Sequence, residues 1–206
     1  MMLDCDQWFY WKAGIDKKTC EKIIKHGKSK LTKELAVVRT QPDSYGKNKK
    51  TRDSNIAWIN DPWLYDIFKK YFITANEKGR WRFEYDWFED IQFTSYTKNQ
   101  HYDWHTDIDI PVKKLDGAMD PKAKLQGKMR KLSCVVNLTD PKKFKGGNFY
   151  FALDGKGIKR NVVKFKQLNE QGTIGIFPSY QYHKVTPITQ GHRYSLVIWA
   201  LGQPFK

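Results

Sequence analysis

The 206-residue chain has few cysteines, a deficit of acidic residues against basic ones, and no long apolar run. Its three cysteines (Cys5, Cys20, Cys134) are few and odd in number. That argues against a disulfide framework and for a reducing compartment. No stretch approaches the ~18 consecutive apolar residues that a membrane span needs. The opening MMLDCDQWFYWK lacks a positive flank, a long apolar stretch and a small-residue cleavage site, so a secretory signal is not expected. These absences predict a soluble, cytoplasmic protein with no membrane partner. No internal repeat or low-complexity segment is evident.

Aromatic and basic residues are plentiful. Eight tryptophans, eleven tyrosines and twelve phenylalanines supply bulky core material. At this length one well-buried core is expected, hence a single domain over residues 1–206. Thirty-seven basic residues against twenty-two acidic ones leave a net charge of +15. Such a field attracts anions. Lysines gather in KNKKTR (47–52), in the stretch after Asp107, and in KKFK (142–145). An acidic protein segment fits that pattern; nucleic acid also fits it but is less favoured, and lysine can be plain surface material.

Helical signals come first and strand signals after. Asp16 can cap a helix whose apolar positions Cys20, Ile23, Ile24 and Leu31 share a face. Asp61-Pro62 predicts a second helix, with aspartate as N-cap and the stripe Leu64, Ile67, Phe68, Tyr71 and Ala75, ending near Gly79. From Trp81 the period switches to two, as Trp81, Phe83, Tyr85 and Trp87 alternate with charged residues. Further strands are expected at about 90–97, 102–107, 131–138, 148–153, 159–166, 173–177, 182–186 and 193–201. Helical support in 1–80 and a strand-built core in 81–206 predict an α+β protein, mainly β. The expected architecture is an antiparallel jelly roll, or double-stranded β-helix, buttressed by N-terminal helices.

Four polar residues interrupt these strand patterns. His105 and Asp107 stand two apart in QHYDWHTDID, a spacing that puts both side chains on one face of a strand. His183 follows on another expected strand, and Arg193 opens the alternating run RYSLVIWAL. Two histidines and a carboxylate can take one face of an octahedral iron(II) and leave the opposite positions open. A fixed guanidinium can grip a carboxylate with two hydrogen bonds. Separately, these features also fit a capping pair, a structural histidine and a solvated edge arginine. Their order, spacing and flanking strand patterns favour a site.

The segments SYTKNQHYDWHTD, LSCVVNLTDPKKFKGGNFYF and GTIGIFPSYQYHKVTPITQGHRYSLVIWAL resemble, in order, the signature of the 2-oxoglutarate- and iron(II)-dependent oxygenases. The similarity is to their prolyl 4-hydroxylase-like branch, which includes the PKHD-type hydroxylases. It is firm over roughly residues 80–201 and looser through FYWKAGIDKKTCEKIIKHG. The sequence departs from the pattern in HTDID, where HxDN is commoner, and in Phe149, where leucine is usual.

The resemblance implies a dioxygenase with His105, Asp107 and His183 as iron(II) ligands, 2-oxoglutarate and O2 as co-substrates, and ascorbate as a possible reductant. It implies hydroxylation of an unactivated C–H bond with release of succinate and CO2, most often on a peptidyl proline. A lysyl residue, a free amino acid or a nucleic-acid demethylation are the alternatives. The dealkylases carry a second arginine six residues after the first, and here that position is Trp199.

Strand parity puts Arg193, Ser195, Val197 and Trp199 on one face of the last strand. Arg193 would pair with the distal carboxylate of 2-oxoglutarate, with Ser195 as an added donor. Tyr96 matches a family tyrosine that donates to the same group, and Asn137 is a further candidate for that wall. Trp199 could equally be packing. Gly146-Gly147 permits a tight connection between strands. Residues 108–131, with Pro111, Gly117, Pro121 and Gly127 and no period, suggest a loop covering the substrate, or else a solvated insertion.

Overall fold

The structure, a computed structural model, describes residues 6–31, 38–41, 44–46, 48–108, 127–153 and 161–205. A short strand β1 (Phe9–Trp11) leads into helix α1 (Lys17–Lys30). Asp16 caps α1 by accepting the Thr19 amide at 2.6 Å. Cys20, Ile23 and Gly27 form its buried face, with Ile24 and Leu31 partly buried beside them. Strands β2 (Val38–Gln41) and β3 (Ser44–Gly46) pair with each other. Next come β4 (Arg52–Asp53), β5 (Asn55–Ile59) and helix α2 (Pro62–Lys78). The N-terminal part therefore supplies strands as well as helical support.

Asp61 stands at the N-cap of α2, but its carboxylate does not cap the helix. It pairs instead with His26 Nε2 at 2.7 Å, tying the start of α2 to α1. The buried stripe of α2 is Leu64, Phe68, Phe72 and Ala75, and Tyr71 and Ile67 lie at its margin. Burying a phenylalanine such as Phe68 or Phe72 contributes about 2–3 kcal/mol. The helix stops at Gly79, whose amide returns to the Ala75 carbonyl at 2.8 Å.

The alternating run from Trp81 is not a strand until β6 (Trp87–Phe88). Arg80 and Arg82 have φ of 58° and 52°, which breaks the extended path. The side chain of Asn76 replaces a strand partner: its oxygen accepts the Phe83 amide at 2.9 Å and its nitrogen donates to the Phe83 carbonyl at 2.8 Å. Trp81 Nε1 donates to the Asp6 carbonyl at 2.6 Å. The alternation thus records a half-buried coil whose polar groups are met by side chains.

The remaining strands are β7 (Ile91–Tyr96), β8 (His101–His105), β9 (Met129–Asn137), β10 (Phe144–Gly146), β11 (Phe149–Ala152) and β12 (Val162–Lys164). After them come β13 (Ile174–Pro178), β14 (Tyr182–Val185), β15 (Ile188–Gly191) and β16 (Arg193–Gly202). The larger sheet has the order β1-β13-β9-β16-β7-β5, with β6 also on β16. The smaller has the order β12-β11-β14-β8-β4, and β10 pairs with β15. The named pairings are antiparallel, and together they make the expected jelly roll.

Side-chain parity divides the larger sheet cleanly. Phe93, Leu132, Cys134, Val136, Ile176, Leu196 and Ile198 face outward and pack with the helices in one core. Their neighbours Tyr96, Val135 and Phe177 face inward and join Phe149, Phe151, Phe165 and Val185 in a second core between the sheets. Gly27 of α1 lies directly on the Phe93 ring, where a Cβ would collide. The two helices therefore hold the larger sheet from behind and leave its inner face to the site. Among the described residues, no helix is long and apolar enough to cross a membrane. The loop expected at 108–131 lies mostly outside the described residues, and β9 already begins at Met129.

Candidate active site

His105 ends β8 and His183 lies on β14, and the two are direct cross-strand partners. Asp107 was expected on the same strand as His105 but lies just beyond it. Ladder pairing stops at His105, and the amides of Asp107 and Ile108 turn to the Ser179 carbonyl at 2.9 and 3.0 Å. That double contact aims the carboxylate between the two imidazoles. His105 Nε2 is 3.6 Å from one Asp107 oxygen, and His183 Nε2 is 3.7 Å from the other. These gaps are too long for hydrogen bonds and suit an ion shared among the three. All three donor atoms lie within 4.8 Å of one another.

The histidine tautomers follow from their other nitrogens. Nδ1 of His105 lies 2.7 Å from the Asp103 carbonyl, and Nδ1 of His183 lies 2.9 Å from the Gln181 carbonyl. Only an N–H can satisfy a carbonyl, so each Nε2 keeps a free lone pair pointing at the common centre. Burial, with His105 close by, pushes the His183 imidazole down to about 4, so it is neutral near pH 7. Burial alone would raise the Asp107 carboxyl; His183, His105 and Arg130 outweigh it and hold Asp107 well below the usual carboxylate range. One carboxylate and two imidazoles whose Nε2 atoms face one point form the donor set that suits iron(II) with open positions.

Flat rings wall in the ligands. Tyr102 stacks on His105 with centroids 3.4 Å apart, and Phe149 stacks on His183 at 5.1 Å. Phe177 meets His183 edge-on at 4.9 Å. Tyr102 can share a face with His105 because β8 slips register against β14 between them. Phe149, where the resemblance leads one to expect leucine, supplies the flat surface against His183.

Beside the ligands lies a cavity of about 400 Å3. Arg193, Ser195, Val197 and Trp199 all line it, as the parity of β16 requires. Arg193 is 1% exposed, its Nε has no partner, and its Nη1 reaches only the Ser195 hydroxyl at 3.5 Å. Burial pushes the Arg193 guanidinium down from its ordinary range, although it remains the charged form. Tyr96 pairs with Arg193 across β7 and β16, and its ring lies 5.8 Å from the guanidinium. Burial raises the Tyr96 hydroxyl against the opposing pull of Arg52 and Arg193, so it stays a donor. Gly147, at φ +60°, leaves room for this arrangement, since a Cβ there would sit 3.0 Å from Arg193 Cδ.

Asn137 does not join this wall. It is buried outside the cavity lining, and its side-chain nitrogen donates to the Thr139 and Asn169 carbonyls, both at 2.9 Å. Conversely, no motif or period in the sequence singles out Glu89, Arg130, Arg52 or Tyr102. Arg130 grips Glu89 with two bonds of 2.7 and 2.9 Å, reaches the Asp107 carbonyl at 3.4 Å, and lies 3.8 Å over Trp199. Glu89 belongs to no regular strand, so nothing periodic marks it.

The sequence profile of the 2OG-Fe(II) oxygenase superfamily matches residues 91–201. A PKHD-type hydroxylase of Sphingopyxis alaskensis is 26% identical over 165 residues, covering 78% of this chain and 67% of that one. A PKHD-type hydroxylase of Xylella fastidiosa is 32% identical over 109 residues, and there the match spans 52% of this chain and 42% of the relative. Among solved structures, the viral collagen prolyl hydroxylase of Paramecium Bursaria Chlorella virus-1 superposes with a TM-score of 0.66 at 18% identity. That match covers 98% of this chain and 99% of the other. A prolyl hydroxylase from Trichoplax adhaerens, in complex with a hypoxia inducible factor oxygen degradation domain peptide fragment, superposes at 0.57 with 14% identity, over 94% of this chain and 83% of its own. At such identities the solved structures establish the jelly-roll fold.

Proposed function

Because this chain belongs to the 2OG-Fe(II) oxygenase superfamily and is thus a 2-oxoglutarate-dependent dioxygenase using iron(II) and O2, we propose that it hydroxylates a proline within a protein or peptide. His105, Asp107 and His183 hold the metal, and Arg193, with Tyr96 and Ser195, holds the distal carboxylate of 2-oxoglutarate. Bound there, iron(II) with 2-oxoglutarate and O2 supplies an oxidant for an unactivated C–H bond, with succinate and CO2 released. The chain's own residues orient and shield. Asp103 and Gln181 carbonyls fix the imidazole tautomers, and the Phe149 and Phe177 rings exclude water beside His183.

The observation that carries this reading is the buried, underused guanidinium of Arg193 in the same cavity as the convergent ligand atoms. A dicarboxylate that binds a metal at one end and needs a cationic seat at the other fits that spacing of functions. Proline as the target rests on the names of the similar proteins and on the ease with which proline-rich segments, already extended, enter a groove. The net charge of +15 favours an acidic peptide over a basic one. Mass spectrometry of peptides incubated with protein, iron(II) and 2-oxoglutarate tests the reading. A one-oxygen gain on proline with matching succinate supports it. Oxygen on lysine, on a free amino acid or on a methylated base would remove proline and leave the iron chemistry in place.

A further inference from the structure

Three arginines line the cavity: Arg193 faces the co-substrate seat, Arg130 is held by Glu89, and Arg52 has neither task. Arg52 is 8% exposed, lines the cavity, and lies 4.5 Å from the centroid of the Tyr102 ring. Its Nε donates to the Ser54 hydroxyl at 3.1 Å, and among the described residues no carboxylate pairs with it. The carboxylate next to it in sequence, Asp53, is held by the Gln100 amide at 3.0 Å. Glu89 is committed to Arg130. A buried cation with one hydroxyl partner is costly unless an anion meets it.

The formal charges of the loaded site sharpen this. A metal dication and Arg193 together balance Asp107 and the two carboxylates of 2-oxoglutarate, while Arg130 and Glu89 cancel each other. Arg52 is the positive charge that remains. Position then narrows what can meet it. Arg52 and His105 both pack against the Tyr102 ring, 4.5 and 3.4 Å from its centroid, so a group at Arg52 stands beside the metal ligands and not on them. That place suits the side chain of a residue adjacent to the oxidised one.

We propose that Arg52 binds the carboxylate of an aspartate or glutamate next to the residue that is hydroxylated, making this an enzyme for acidic sites within a chain. The proposal deepens the peptide reading above and rests on it for the nature of the substrate. It differs from general attraction by lysines in needing one acid at one position.

The test uses short peptides with a single proline, each made in two forms: Asp or Glu beside the proline, or Asn or Gln in its place. They are titrated calorimetrically, without oxygen, into protein loaded with manganese(II) and 2-oxoglutarate, and co-substrate affinity is measured separately. The acid form should bind about tenfold or more tightly than its amide twin, as for a charge-assisted pair. Moving the acid four residues away should abolish the gap. Arg52→Gln should close it, Arg52→Lys should keep part of it, and 2-oxoglutarate affinity should be the same in all three proteins. Equal binding of acid and amide forms by the unaltered protein overturns the proposal without any variant. So does a gap that survives Arg52→Gln, or a loss of 2-oxoglutarate affinity in that variant. A gap seen only between free proline and prolinamide also overturns it, because the carboxylate would then be the substrate's own. If oxygen appears on a residue other than proline while the acid preference holds, the proline reading fails and Arg52 keeps its role.

Discussion

Replacing Arg193 with methionine should make the metal-free, co-substrate-free protein more stable while abolishing its response to 2-oxoglutarate. Arg193 is fully buried, with an unpartnered Nε and one long contact to Ser195. Its desolvation is therefore uncompensated until a carboxylate arrives. Methionine keeps a flexible apolar stem in the space that Gly147 leaves open. Removing a buried, poorly compensated charge stabilises by about 1–3 kcal/mol. For a chain of this size that corresponds to a rise of roughly 3–9 °C in Tm. With manganese(II) present, 2-oxoglutarate at about a hundred times its Kd should add about 2.7 kcal/mol to the unaltered protein. It should add nothing to Arg193→Met. Differential scanning calorimetry with and without 2-oxoglutarate reads both effects. A lower Tm for the unliganded variant would mean that Arg193 is not an uncompensated charge. A persistent shift with 2-oxoglutarate would mean that another group holds the carboxylate.

Three further outcomes are expected. His183→Ala should lose metal binding in a dialysis assay and lose turnover, while keeping a cooperative melt. His183 sits at about 4 when folded against an ordinary 6.5, so between those values the unfolded chain holds the proton and the folded one does not; metal-free protein should lose stability as pH falls through that window, and His183→Leu should lose less. Glu89→Ala leaves the Arg130 guanidinium, whose side chain is 12% exposed, without its bidentate partner and should cost about 3 kcal/mol by urea titration. An unchanged midpoint would show that water reaches Arg130.

Much of this was legible in the residues. The parity of RYSLVIWAL placed Arg193, Ser195, Val197 and Trp199 on one inner face because a long, central strand has no freedom to turn its side chains. His105 and His183 were recoverable for the same reason, and their being direct partners needed only the fold. Asp107 converged with them as expected, though by a turn held on Ser179 and not by strand geometry. Local pattern failed where a distant side chain took over a backbone's role. Asp61 looks like a helix cap but serves His26, and Asn137 shares strand parity with the cavity wall yet serves two carbonyls beyond its end. Arg52 and Glu89 carry no period at all, so only tertiary contact reveals them.

The pairing of Asn76 with Phe83 bears on how the chain behaves in company. A run such as Trp81–Trp87, with aromatics on one side and charges on the other, is the kind of segment that joins the open edge of a neighbouring sheet and seeds aggregates. Here its capacity to do so is spent internally: one amide side chain occupies both backbone groups of Phe83, and the positive φ angles at Arg80 and Arg82 break the straight edge that a second molecule would need. Asn76→Leu, which can fill the same space without those two bonds, should free the Phe83 backbone and scatter light at concentrations where the parent protein does not.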